Sequence, residues 1–80
     1  MQSQLDYLDQ IAFKVARDDF KAYGPLSSGE RAYVALAASR SDLLQEDGYT
    51  IVEAIDRIGP EWLDELNRRW KRVNRHQLKA

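Results

Sequence analysis

Four times in this chain a Ser or Thr is followed three residues later by an acid: Ser3/Asp6, Ser27/Glu30, Ser39/Asp42 and Thr50/Glu53. In such a pair the hydroxyl accepts from a free amide of a helix's first turn, and the carboxylate reaches back to the cap amide. Each pair heads an apolar segment, so the set predicts helix starts spread along the whole chain. The two Asp versions are the weaker ones, because the shorter arm reaches back less well.

The apolar spacing agrees. A first helix is expected over 4–23, with Leu5, Leu8, Ile11, Ala12, Val15, Ala16, Phe20 and Tyr23 on one face and Gly24-Pro25 as its stop. A second is expected over 28–38. Its segment 32–38 is apolar all round, which a buried strand would also be, but its four Ala favour a helix. Small side chains let neighbours approach closely, so this helix is placed at the centre. Residues 42–45 read as one short turn. Thr50 heads a short helix over 51–58, with Ile51, Ala54, Ile55 and Ile58 directed inward. Gly59 ends it, and Pro60 suits the first position of a last helix over 60–76. That helix carries the cleanest stripe in the chain: Trp62, Leu63, Leu66, Trp70 and Val73. The fold class is therefore all-α, a compact bundle of three main helices plus one or two short ones.

Eighty residues make one domain, 1–80, with a small core. The absence of Cys removes disulfides, thiolate catalysis and thiolate metal sites together. The first six residues lack the basic and apolar regions of a secretion signal, and no apolar run approaches the roughly 20 residues of a membrane span. A soluble, cytoplasmic protein without a membrane segment is the expectation.

Charge is distributed unevenly. Residues 1–67 hold 6 of the 12 Lys+Arg and all 13 Asp+Glu, whereas residues 68–80 hold the other 6 bases and no acid. Arg68, Lys71, Arg72, Arg75 and Lys79 lie opposite the Trp/Leu stripe. They read first as a solvated face matched to the helix dipole, with Glu61, Asp64 and Glu65 at the start and the bases later. Asp64/Arg68 and Glu65/Arg69 are also favourable i,i+4 pairs. The alternative is a face contacting nucleic-acid phosphates. The segment from Ile51 through Gly59-Pro60 has the length of a helix-turn-helix, but the acids at the start of its second helix would be repelled by DNA.

Residues for catalysis or metal binding are scarce. His76 is the only His, short of the several Cys or His that zinc takes. Asp18-Asp19 and Glu46-Asp47 lack the grammar of a calcium loop. The Ser residues read mostly as caps, with no His near them in sequence, and the glycines form no phosphate loop. No enzyme activity and no cofactor are expected.

Apolar surface remains. The first helix is apolar over about 200° of its wheel, wider than a usual stripe, with Phe13 at one edge and Tyr7 on the far side. The expectation is a small protein-interaction module, a regulator or inhibitor that occupies another protein's surface, with Tyr7, Phe13, Asp18 and Asp19 as candidate contacts. The acidic body suits a basic partner, such as a nucleic-acid-binding protein. A second copy of the chain is a further candidate partner, and nucleic acid is the runner-up. Acidic, cysteine-free helical chains of this size occur among phage and mobile-element inhibitors, an analogy carried by no motif.

Overall fold

In the computed structural model, the backbone is described for residues 2–79 and the side chains for residues 4–71. The chain is all-helical: α1 Gln2–Ala16, α2 Ser28–Ala37, α3 Ser41–Glu46 and α4 Ile51–Lys79. Gly59, at φ 86° and ψ 165°, is not helical and divides α4 into two segments, with Pro60 opening the second. The radius of gyration is 11.5 Å, that of a close-packed chain of this length.

Two cap pairs close as full boxes. Glu30 N donates to Ser27 Oγ at 3.3 Å, and Ser27 N donates to Glu30 Oε1 at 2.9 Å. At the head of α4, Glu53 N donates to Thr50 Oγ1 at 3.1 Å and Thr50 N to Glu53 Oε1 at 2.9 Å. The other two pairs do not cap. α1 begins at Gln2, so Ser3 lies inside it. Arg40, not Ser39, holds the cap position of α3, and no side chain bonds there.

The first helix ends seven residues earlier than its apolar pattern suggests. Asp18 takes a left-handed φ of 67°. Its amide then reaches Val15 O at 2.9 Å, and the Asp19 amide reaches Lys14 O at 2.9 Å. This is the double bond of a Schellman stop. The same pair of bonds ends α2, with Ser39 at φ 57°, and α3, with Gly48 at φ 84°. Gly24 therefore does not stop a helix. Ala16, the last residue of α1, is exposed, as is Phe20 beyond the stop, whereas Tyr23 is brought back into the core by the turn that follows.

α2 is the hub: it packs against α1, α3 and α4. Ala32, Tyr33, Val34, Ala35 and Ala37 are all buried in it, and the alanines permit the close approach. Leu8, Ile11 and Val15 meet this helix from α1, and Ala54, Ile58 and Trp70 complete the core from α4. Among the described residues no α1 Cα lies within 8 Å of an α4 Cα. Long side chains span that gap instead. Ile51 departs from its expected inward place and is exposed.

Candidate functional site

The densest polar cluster joins three helices at Asp9 of α1. Asp9 Oδ1 accepts from Tyr33 Oη of α2 at 2.8 Å and from Trp70 Nε1 of α4 at 2.7 Å. Asp9 Oδ2 accepts from Arg69 Nη1 at 2.9 Å. The same nitrogen donates to Asp6 Oδ1 at 2.9 Å, and Arg69 Nε donates to Glu65 Oε1 at 3.1 Å. The carboxylates of Asp9 and Asp6 hold the Arg69 guanidinium above its ordinary pKa. Burial, then the bond to Asp9, pushes the Tyr33 phenol well above its usual range. Phe13 stacks on Trp70 at 4.8 Å between centroids, and Trp62 meets Tyr33 edge-on at 5.6 Å. A buried Trp or Tyr needs a partner for its polar atom, and Asp9 serves both. The cluster braces the fold.

A second cluster forms around Arg40, between α2 and α3. Its Nη1 donates to Val15 O at 2.9 Å and to Asp18 Oδ1 at 3.0 Å. Its Nε and Nη2 grip Asp42 at 3.0 and 2.9 Å. The guanidinium carbon lies 5.3 Å from the centre of the Phe20 ring, within cation–π range. Arg40 thus fastens the end of α1 to the start of α3. A third tie holds the loop before α2. Arg31 Nη1 donates to Gly24 O at 3.2 Å, and its Nε lies 3.2 Å from Asp47 Oδ2, which also accepts from Tyr23 Oη at 3.3 Å.

The four residues read from the sequence as protein contacts do not converge. Tyr7 is 53% exposed on α1. Phe13 is turned about 120° from it on the same helix and lies against Trp70. Asp18 is drawn to Arg40, and Asp19 Oδ1 accepts from Lys21 N at 3.3 Å. In the basic helix, Arg68 pairs with Asp64 at 2.8 Å and Glu65 at 3.0 Å. Lys71 is exposed. The side chains of Arg72, Arg75 and Lys79 lie outside the described residues.

A surface that the sequence reading did not single out lies at the head of α4. Ile51 and Val52 are 54% and 75% exposed, side by side. Spacing groups Ile51 with Ala54, Ile55 and Ile58, but at the first position of the helix it stays uncovered, and Val52, about 100° round the axis, faces a different depression. The Ile51-Val52 pair directly after a cap was the available clue. Beside Val52 is a shallow depression lined by Gly48, Tyr49, Val52, Glu53, Asp56 and Arg57. Beside Ile51 is another, lined in part by Leu36 and Leu44.

Among the described residues no group of three or more His, Asp or Glu is placed to hold a metal ion, and no helix is long and apolar enough to cross a membrane. No family model matches the chain, and no curated protein or solved structure matches it significantly.

Proposed function

We propose that the domain is a non-enzymatic protein-interaction module, a small regulator or inhibitor that acts by covering a basic surface of another protein. The observation that carries this reading is exposed apolar surface on a body with an excess of acid. Arg31, Arg40, Arg68 and Arg69 all lie within ion-pair distance of the chain's own carboxylates, while Tyr7, Ile51 and Val52 stay more than half exposed. Ile51 and Val52 adjoin at the head of α4 beside two depressions, and exposed apolar surface of that kind marks interaction sites. The excess of acid over residues 1–67 favours a cationic partner through electrostatic steering.

Affinity capture from nuclease-treated lysate of the source cells tests this. The expected result is a protein retained by the immobilised domain and displaced by the free domain. The reading fails if nothing retained is displaced. It also fails if the purified domain binds DNA or RNA at low salt with the steep salt dependence of phosphate contacts.

A further inference from the structure

The depression beside Val52 has the chemistry of a specific seat. Tyr49, just before the helix, and Val52 supply apolar surface, and Glu53 and Asp56 of α4 supply carboxylates. Val52 and Asp56 are four residues apart in α4, so the two positions lie about 6 Å apart along the axis. Glu53 gives one oxygen to its cap bond, and neither acid has an ion-pair partner among the described residues. Arg57, the cation on the rim, donates instead to Ser28 Oγ at 2.8 Å.

We propose that this face docks a basic amphipathic helix of a partner protein, with an apolar side chain on Tyr49 and Val52 and Lys or Arg against Glu53 and Asp56. The proposal rests on the protein-binding reading and deepens it by naming the surface and its occupant. The matching cation must stand about 6 Å from the apolar anchor, which a helix provides at i,i+4. Charge at Glu53 and Asp56 favours a cationic occupant; a second copy can supply one only through its own basic residues 68–79, and sedimentation separates that case from a partner protein.

The test uses the 15N-labelled full chain and two synthetic Leu/Lys peptides of about 14 residues, long enough to form a helix on a surface. One has helical apolar spacing, and the other has the same composition scrambled. Amide shifts confined to residues 48–57 are expected with the amphipathic peptide, and weaker binding with the scrambled one. Asp56→Lys should weaken binding about five- to tenfold, while Glu61→Lys, past the Gly59 break, should change it less than about twofold. Val52→Ser should weaken it without altering the circular dichroism spectrum.

Shifts elsewhere, equal binding of the scrambled peptide, or equal effects at Asp56 and Glu61 would overturn the proposal. So would a dimer, seen by sedimentation, that Val52→Ser disperses, because the occupant would then be a second copy. Any of these leaves the displaceable capture of a protein partner unaffected, so failure of the site and failure of the broader reading are separate results.

Discussion

Trp70 and Asp9 meet across the gap between α1 and α4, where the indole Nε1–H donates to Asp9 Oδ1 at 2.7 Å. Tyr33 and Arg69 converge on the same carboxylate. Removing it leaves the Tyr33 hydroxyl and the Trp70 indole without their acceptor and takes from Arg69 one of its carboxylates, with Asp6 and Glu65 remaining. Asp9→Ala is expected to cost about 2–4 kcal/mol, the range for breaking a largely buried hydrogen-bonded charge pair. In a domain this small that lowers Tm by at least about 10 °C. Asp9→Asn keeps an acceptor for Tyr33 and Trp70 but loses the charge facing Arg69, so it should fall between. Urea unfolding followed by Trp fluorescence measures both, and equal stability of Asp9→Ala and wild type would remove the cluster from the account of the fold.

Stability should fall at both ends of the pH range. Glu30 is held below the ordinary carboxylate range by the Ser27 backbone amide, Asp42 by Arg40 and Glu65 by Arg69. Their stabilisation is present above the unfolded-state value of about 4 and is lost as pH falls through the lower folded values. Asp42 and Glu65 act near solvent, so this acid limb should be shallow and weakened by salt. Tyr23 and Tyr33 have raised values, first from burial and then from Asp47 and Asp9. Their contribution is intact below about pH 10 and is lost as pH rises beyond it, because the unfolded chain ionises first. Phenolate absorbance from these two should appear together with unfolding. Tyr33→Phe should lower Tm at neutral pH and flatten the alkaline limb.

Gly59 and Gly24 should respond oppositely to alanine. A Cβ at either would meet no heavy atom within 4 Å, so packing does not distinguish them. Gly59 has φ 86°, a region that costs an L residue about 1–2 kcal/mol. Gly59→Ala should therefore destabilise by about that amount. Gly24 has no left-handed φ, and Gly24→Ala should be neutral or stabilising by up to about 1 kcal/mol through the unfolded state. Thermal melts of the two variants give the comparison.

What could be read from the sequence follows the range of the interactions. The caps at Ser27/Glu30 and Thr50/Glu53 depend on four successive residues and form as their spacing implies. The other two acids are taken by distant or unanticipated partners: Asp6 by Arg69, and Asp42 by Arg40. The end of α1 was hidden because its left-handed residue is Asp18, while the chain offers Gly24 as the more usual stop. The Asp9 cluster joins residues about sixty positions apart, and helix periodicity does not encode which carboxylate faces which indole. The face at Tyr49, Val52, Glu53 and Asp56 was missed because apolar spacing identifies residues that fit a core, not those the core leaves uncovered.

Arg40 bonds two groups of the α1 stop, Val15 O and the Asp18 carboxylate, and its removal measures how far the stop depends on it. Its guanidinium reaches the Val15 carbonyl, Asp18 and Asp42 together, which a planar fork can do and a single ammonium cannot. Arg40→Ala should cost about 1–2 kcal/mol, in line with hydrogen bonds to charged groups, and Arg40→Lys should recover less than about half of that. Asp18 then loses the partner that compensates its left-handed backbone at φ 67°. In the wild type, Asp18→Gly relieves that backbone but gives up the ion pair, so its net effect should be near zero. In the Arg40→Ala background only the relief remains, and Asp18→Gly should stabilise by about 1 kcal/mol. A double-mutant cycle over the two sites should therefore show coupling of about 0.5–1 kcal/mol. Additive effects would mean that the Schellman stop forms without help from Arg40.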